Sequence, residues 1–303
     1  MNKLNIVTGA TGYTGKYVTR RLLAMGQQVK SLTNHPHREN PFGDKVSMLP
    51  YNFENPEALV ESLRGATTLY NTYWVRFSYG KVTFDTAIKN TKVLIEAAKR
   101  AGIRRIIHVS IANPDSTSEL PYYQGKGLLE QVVIESGLSY AIIRPTVIFG
   151  HEDILINNIA WLLRKSPIFA IVGSGEYKIQ PIFIEDMANL MVMASEQKEN
   201  IILDAVGPET FTFNKLVELI KSKLHSMAKI IHISPRAMLS LSRLIGYVVK
   251  DVILTKEEVD GLLANLLISS QTPTGSTQFT EWLGKNTATL GTHYSSELGR
   301  HYR

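Results

Sequence analysis

The chain has 303 residues, of which 44% are hydrophobic and 20% charged, a composition typical of a folded globular protein and not of a disordered one. It contains no cysteine, which excludes disulfides and thiolate chemistry, and its formal net charge of +6 suits an anionic ligand such as a phosphorylated nucleotide. Because no run of about 18 apolar residues is present and the N-terminal apolar segment is too short for a signal peptide, we expect no transmembrane segment and a cytoplasmic location.

The first half of the chain alternates short β-rich runs with amphipathic helical patterns. Strands are predicted at LNIVTG (4–9), QVKSLT (28–33), TTLYNTYW (67–74), RRIIHVS (104–110) and SYAIIRPTVIFG (139–150). Helices are predicted between them, at residues 16–26, 55–65, 84–102 and 119–133. This alternation predicts an α/β fold with a doubly wound parallel sheet of the Rossmann type.

After Gly150 the pattern becomes mostly helical. We expect a dinucleotide-binding domain at 1–150 and a smaller, mostly helical part at 151–303 that closes over the substrate side, with 178–206 rejoining the first sheet. The apolar face of residues 236–268 could cover the pocket, form a subunit contact or rest on a membrane surface, and the sequence leaves these alternatives open. A monomer and a homodimer are equally compatible with it.

The strongest signal is the glycine-rich stretch TGATGYTG between the first predicted strand and the first predicted helix. Gly9 permits the tight turn, Gly12 leaves room for a pyrophosphate beside the backbone, and Gly15 lets the helix pack against the sheet. The N–H groups and the positive end of the helix dipole would then bind the phosphates. The alternative is a glycine-rich turn that binds no ligand. The predicted binding residues here are Gly9, Thr11, Gly12, Tyr13, Thr14 and Gly15.

The G-x-x-G-x-x-G spacing of this stretch resembles the short-chain dehydrogenase/reductase superfamily, particularly its extended and atypical branches. RPTVIFG (144–150) is similar to the segment that passes near the nicotinamide in extended members, and IFIEDMANLMVMA (182–194) to their later strand-Asp-helix element. Together with LTNHPHRENPFG, HVSIANPDS and DAVGPETFTFNKLVELI, these segments look most like the atypical group related to the nucleotide-binding accessory subunit of respiratory complex I. The resemblance implies that Arg144 and Pro145 contact the cofactor.

The end of the second predicted strand indicates which dinucleotide is bound. An acidic residue about 20 positions beyond the first glycines would bind the ribose of NAD, but VKSLTNHPHR has none and the first acid is Glu39. An uncharged end at Asn34 followed by Arg38 favours the 2′-phosphate of NADP(H), although NAD(H) and a solvated loop without a binding role stay open. The resemblance places Asn52 at a polar contact with the adenine.

Tyr122 and Lys126 lie four residues apart on the predicted helix after the strand at 104–110, and Pro121 should begin that helix with Ser118 or Glu119 as its cap. Side chains at this spacing share a helix face, and an ammonium near a phenol brings the phenol pKa from about 10 towards neutrality. The resemblance implies that Tyr122 transfers the proton and Lys126 binds the nicotinamide ribose. The alternative is a surface helix with a packed tyrosine and a solvated lysine.

The third catalytic position of the superfamily is a serine or threonine just beyond the strand that corresponds to residues 104–110. Ser110 occupies this region in a shifted register, because the next residues, Ile111 and Ala112, are apolar. Ser110 is therefore either the hydroxyl that polarises the substrate or merely the end of the strand. Two functions follow: an NADP(H)-dependent oxidoreductase or epimerase-like enzyme acting on a small carbonyl or nucleotide-sugar-like substrate, or a non-catalytic NAD(P)H-binding redox sensor or assembly protein of the complex I type.

Three further features narrow the possible partners. The histidines show no metal-ligand spacing, so we expect no metal site, and His108 inside a strand predicts a packed core residue. No basic run with interleaved aromatics is present, so nucleic acid is not expected as a partner. The aromatic segment 70–79 would lie at the carboxyl edge of the sheet and either lines a pocket for a flat or apolar molecule or packs in the core.

Overall fold

The computed structural model describes residues 3–301 and divides the chain into two compact units. The first unit comprises residues 1–145 and 187–204, and the second unit comprises residues 146–186 and 205–303. Each unit has its own buried hydrophobic cluster. Within residues 3–301, no helix is both long enough and apolar enough to cross a bilayer.

The first unit is built on a seven-stranded sheet. Numbered along the chain, its strands are β1 (Leu4–Thr8), β2 (Gln28–Thr33), β3 (Val46–Pro50), β4 (Thr68–Asn71), β5 (Arg105–Val109), β6 (Ser139–Pro145) and β11 (Ile201–Ala205). Their order across the sheet is β3-β2-β1-β4-β5-β6-β11, and the pairings from β3 to β6 are parallel. The predicted doubly wound α/β sheet is confirmed, and its order reverses beside β1, where open α/β sheets bind their ligands.

Helices connect these strands. They are α1 (Tyr13–Ala24), α2 (Pro56–Leu63), α3 (Phe84–Arg100), α4 (Pro121–Glu135) and α6 (Ile184–Glu196), with a short 3₁₀ turn at Gly43–Lys45. Helix α3 begins at the predicted residue, α2 and α4 begin within two residues of the predicted start, and α1 begins at Tyr13, three residues before the predicted start at 16. The Asn55 side chain accepts the Ala58 N–H at 3.2 Å and Pro56 takes the first position, so α2 begins as predicted. Branched aliphatic side chains from α2, α3 and the sheet form the core of the unit.

The second unit combines helices with three two-stranded sheets. Its strands are β7 (Val147–Phe149), β8 (Ile168–Val172), β9 (Lys178–Ile179), β10 (Pro181–Phe183), β12 (Phe211–Thr212) and β13 (Lys229–Ile233). Its helices are α5 (Leu155–Lys165), α7 (Phe213–Lys223), α8 (Pro235–Val249), α9 (Lys256–Leu263), α10 (Phe279–Asn286) and α11 (Glu297–His301). β7 pairs with β10 and β8 with β13 in parallel, whereas β9 and β12 are antiparallel. The core is aromatic at its centre, where Phe149 contacts Phe279 and Trp282.

Two local predictions were wrong. The predicted strand 139–150 is split into β6 and β7, because after Pro145 the chain leaves the large sheet: the Thr146 hydroxyl donates to the Gln180 carbonyl, and β7 pairs with β10. The N-cap of α4 is Leu120 and not Ser118 or Glu119. The Ser118 hydroxyl instead accepts the N–H of Leu120, which fixes the loop before the helix.

Candidate functional site

The loop between β1 and α1 can be formed only with glycine at its key positions. Gly9 has a φ of +66°, and its N–H donates to the Leu32 carbonyl at 2.7 Å. A Cβ on Gly15 would overlap the Gly9 carbonyl, and one on Gly12 would lie 3.1 Å from the same oxygen. The Gly12 N–H closes the turn on Gly9 at 2.8 Å. The three glycines therefore bring the start of α1 directly against the end of β1.

This loop leaves a positively polarised surface for an anion. Gly12 caps α1 without a side-chain hydrogen bond, and the first turn carries no acidic residue. Helix geometry leaves the N–H groups of Thr14 and Gly15 without intrahelical acceptors, and the helix dipole places partial positive charge there. Thr11 is half-buried in the same loop. The residues present thus fit the diphosphate of a dinucleotide.

The end of β2 is joined to the glycine loop and presents no acid. The Ser31 hydroxyl accepts the Ala10 N–H at 3.0 Å, which fixes β2 against the loop. Asn34 and Arg38 are exposed beyond the strand, and the Arg38 N–H donates to the His35 carbonyl at 3.1 Å. Partial burial and the nearby guanidinium lower the pKa of His35, so this imidazole is neutral at pH 7.

Asn52 is a turn residue after β3, with a φ of +51° and a carbonyl that accepts the Asn55 N–H at 2.8 Å. The rings of its two neighbours in the sequence, Tyr51 and Phe53, stack on each other with centroids 4.7 Å apart. Tyr73 packs against both at 5.1 and 5.3 Å. Sequence analysis did not identify this aromatic cluster, whose members come from two separate segments of the chain.

A buried polar pair, Asn71 and His108, lies at the carboxyl ends of β4 and β5. The Asn71 side-chain oxygen accepts the Tyr73 N–H at 3.2 Å, so its amide nitrogen faces Nδ1 of His108 at 3.0 Å. Nδ1 must then accept, which assigns the proton to Nε2. Burial, followed by the charge of Lys126, lowers the pKa of His108 to about 3, and the ring stays neutral. The predicted core position of His108 is confirmed.

Tyr122 and Lys126, both on α4, contact the same indole ring, that of Trp74. The Lys126 side chain is 2% exposed, its Nζ donates to the Val109 carbonyl at 2.7 Å, and it lies 4.7 Å from the Trp74 ring centroid. The Tyr122 ring meets the edge of the same indole with centroids 5.9 Å apart. Burial lowers the pKa of Lys126 to about 7, against the opposing effect of Glu130. The predicted pair therefore lies at the carboxyl end of β5.

Small residues in α4 make this arrangement possible. A Cβ on Gly125 would lie 2.8 Å from the Trp74 ring, so the indole rests directly on the helix backbone. A Cβ on Gly127 would overlap the backbone of Ser116, and the loop before α4 lies against the helix at that point. The sequence GKG around Lys126 was an overlooked signal of close contacts on both sides of the lysine.

Ser110 follows β5 but is enclosed. Its side chain is 2% exposed, and its hydroxyl has no hydrogen-bond partner within residues 3–301. The Ser110 N–H donates to the Ile143 carbonyl at 2.8 Å, which extends the pairing of β5 with β6 by one residue. Ile111 and Ala112 are also buried. The Ser110 hydroxyl is therefore closed to solvent. It lies one residue after Val109, whose carbonyl accepts the hydrogen bond from Lys126.

Arg144 is engaged in an ion pair. Its guanidinium donates to both carboxylate oxygens of Glu130, at 2.9 and 2.5 Å, and Glu130 is buried. Pro145 ends β6, and its carbonyl accepts the Ala112 N–H at 2.8 Å. These two residues thus tie β6 to α4 and to the segment after β5. Among the described residues, no cluster of histidine and carboxylate side chains is arranged to bind a metal.

Comparison with known protein sequences also indicates the binding of a nicotinamide dinucleotide. Residues 9–154 match the protein family described as NAD(P)H-binding. The chain is 25% identical, over 71% of its length, to the mitochondrial NADH dehydrogenase [ubiquinone] 1 alpha subcomplex subunit 9 of Arabidopsis thaliana, and spans 56% of that protein. It is 26% identical, over 78% of its length, to a photosystem II assembly factor of Cyanophora paradoxa, and spans 74% of that protein.

Among solved structures, the chain is similar to the triphenylmethane reductase of Citrobacter sp. complexed with NADP(H). The TM-score is 0.73 at 18% identity, covering 93% of this chain and 99% of the reductase. At this identity the likeness concerns the fold alone. The resemblance to atypical short-chain dehydrogenase/reductases and to complex I accessory subunits, predicted from the sequence, is confirmed.

Proposed function

We propose that the protein is an NADP(H)-dependent oxidoreductase, because residues 9–154 match the NAD(P)H-binding family and the fold is similar to that of a reductase complexed with NADP(H). The observation that carries this proposal is the contact of Tyr122 and Lys126 with the same indole ring, at the carboxyl end of β5. A phenol and a buried lysine at the ligand-binding edge of a parallel sheet are groups suited to moving a proton.

When bound, the dinucleotide supplies or accepts hydride, and the protein provides the proton and the position. The backbone at Gly12 and Gly15 would hold the diphosphate. Tyr122 donates a proton to the substrate oxygen, and the ammonium form of Lys126 beside it favours the phenolate that results. The Val109 carbonyl takes one of the three N–H donors of Lys126, which leaves donors for ribose hydroxyls.

The preference for NADP(H) over NAD(H) is part of the proposal. It is supported by the uncharged end of β2 and by the exposed Arg38 beyond it, which can pair with a 2′-phosphate. Fluorescence titration of the purified protein with NADPH and NADH tests it. Arg38→Gln should weaken NADPH binding about tenfold and leave NADH binding unchanged. The matched control Lys45→Gln removes an exposed charge at the opposite, amino end of β3 and should change neither affinity.

For the substrate we propose a small carbonyl compound with a flat apolar part. Trp74, Phe84 and Tyr122 lie in mutual contact, with ring centroids 5.8 to 6.0 Å apart, and such rings favour an aromatic ligand. Suitable probes are an aromatic aldehyde, a quinone and a triphenylmethane dye. An epimerase-like reaction on a nucleotide sugar would use the same tyrosine and lysine, so a nucleoside diphosphate sugar belongs in the same panel.

Tyr122→Phe tests the catalytic assignment with the substrate that this panel identifies. We measure kcat as the rate at which NADPH absorbance is lost. We expect it to fall by roughly 10²- to 10⁴-fold while the Kd for NADPH is unchanged. Tyr123→Phe, at the neighbouring position of the same helix, is the matched control and should retain turnover. Undiminished kcat in Tyr122→Phe would show that another group transfers the proton.

A second candidate function is that of a non-catalytic NAD(P)H-binding redox sensor or accessory protein in a larger complex. It is favoured by the burial of Ser110, Ile111 and Ala112, which leaves no open hydroxyl at the third catalytic position. The printed names of the relatives, a respiratory complex subunit and an assembly factor, point the same way. This candidate would be favoured if NADPH raised the Tm of the protein while none of the probe substrates was turned over.

Location and assembly also belong to the proposal. We infer a cytoplasmic protein that is a monomer or a homodimer, and the mitochondrial relative makes association with a respiratory complex the competing arrangement. Light scattering after size-exclusion chromatography gives the oligomeric state. Cell fractionation followed by native electrophoresis separates a free protein from one that migrates with a larger assembly.

A further inference from the structure

Helix α8 carries three large apolar side chains on its outer face. Its inner side packs on the core through Met238 and Leu239, and the other two buried positions of the helix are the small residues Ser242 and Gly246. Leu244, Tyr247 and Val248 are instead 64%, 85% and 74% exposed. A helix stabilised by the core of its own chain buries its large apolar side chains and exposes the small and polar ones. This outer face is therefore suited to contact something other than the rest of the chain.

Both ends of α8 are fixed, so the exposed face is not a fraying end. At the start, the Ser234 side chain accepts the Ala237 N–H. At the end, the Asp251 N–H donates to the Gly246 carbonyl at 3.0 Å, and a Cβ on Gly246 would lie 2.5 Å from the Asp251 carbonyl oxygen. The Asp251 carboxylate in turn accepts the N–H groups of two residues at the start of α11. The outer face is thus held rigidly.

The charge around this face has one sign. Helix α8 contains Arg236 and Arg243, is followed by Lys250, and has no acidic residue. Arg236 and Arg243 are exposed, and neither takes part in an ion pair within residues 3–301. The nearest acid along the chain, Asp251, is buried and turned towards α11. Cations that flank exposed apolar and aromatic side chains, with no acid among them, complement an anionic surface.

We propose that the outer face of α8, defined by Arg236, Arg243, Leu244, Tyr247 and Val248, docks on the surface of an anionic phospholipid bilayer. An amphipathic helix lying in the interface buries its apolar side chains at the headgroup boundary while its cations meet lipid phosphates. A protein partner fits less well, because three apolar side chains on one helix fall far short of the roughly 800 Å² per partner of a standard interface. Tyrosine suits the headgroup level, since its ring is apolar and its hydroxyl polar.

Vesicle flotation of the full-length protein tests the proposal. The protein should float with vesicles of phosphatidylcholine mixed with phosphatidylglycerol and stay at the bottom with phosphatidylcholine alone. The variant Leu244→Ser/Tyr247→Ser/Val248→Ser should lose roughly 100-fold or more in apparent affinity. Met227→Ser is the matched control, since Met227 is 94% exposed outside α8, and it should float like the wild type. Circular dichroism and NADPH binding verify that each variant is folded.

A charge variant provides an independent arm. Arg236→Gln/Arg243→Gln should weaken flotation about 30-fold, and Lys198→Gln/Lys223→Gln, which removes the same charge elsewhere on the surface, should not. No flotation of the wild type with anionic vesicles overturns the proposal, as does a triple variant that floats like the wild type. Self-association that the triple variant abolishes, in a protein that ignores vesicles, also overturns it by assigning the face to a second copy of the chain.

Discussion

Replacing Lys126 with methionine tests whether a buried ammonium lies at the centre of the site. Burial lowers the pKa of Lys126 from 10.5 to about 7. Between pH 7 and pH 10.5 the unfolded chain therefore binds more protons than the native protein, and native stability rises with pH. At about 1.4 kcal/mol per pKa unit, the ammonium costs the native state about 5 kcal/mol below pH 7.

The assay is urea unfolding of wild type and Lys126→Met at several pH values. At pH 7 we expect the variant to be at least as stable as the wild type, because it removes a buried charge and keeps the stem of the side chain. Between pH 7 and pH 9 the wild type should gain about 2 kcal/mol relative to the variant. The exposed Lys198→Met is the control and should show a constant difference. A free-energy difference between wild type and Lys126→Met that is the same at every pH would refute the reasoning.

Two further substitutions test the glycine loop and the Arg144 ion pair. Gly15→Ala places a Cβ in contact with a backbone carbonyl of the loop, so we expect the protein to lose about 2 kcal/mol of stability and at least tenfold in NADPH affinity. Gly284→Ala, in a helix with open space around it, is the control and should change neither the stability nor the affinity. Arg144→Gln leaves the buried Glu130 carboxylate without its cation and should cost about 3 kcal/mol in urea unfolding at pH 7. Arg64→Gln, in an exposed pair, should leave the unfolding midpoint unchanged, and an equal loss in both arginine variants would contradict the role of burial.

Patterns that act over short distances allowed most of the first unit to be predicted. The strand and helix alternation depends on side-chain periodicity, and the glycine loop depends on steric limits within a few residues. The start of α4 at Pro121 and that of α2 at Pro56 follow from the same local chemistry. The single strand expected at 139–150 was wrong because the division between β6 and β7 depends on a distant partner, β10, which no local pattern encodes.

The surroundings of the site residues depend on contacts between distant segments. Nothing near Lys126 in the sequence indicates that Trp74, more than 50 positions away, covers its ammonium, or that the Val109 carbonyl accepts its hydrogen bond. In the same way, the resemblance predicted that Arg144 contacts the cofactor. In the structure, its guanidinium donates to the carboxylate of Glu130. Spacing and resemblance were enough to propose candidate residues, whereas the electrostatic state of their side chains depends on burial and on partners that are distant in the sequence.

The two candidate functions place different demands on Lys126. A lysine kept only for stability would be expected on the surface or in an ion pair, because a buried ammonium costs the native state more than a hydrophobic side chain of similar volume. Here the ammonium is 2% exposed, its acceptor is a backbone carbonyl, and its pKa is lowered to about 7. Such a group is poorly suited to stabilise the fold and well suited to respond to a bound anion or a nearby phenol. The unfavourable burial of this ammonium therefore favours a chemical role for Lys126 beside Tyr122 over a purely structural one.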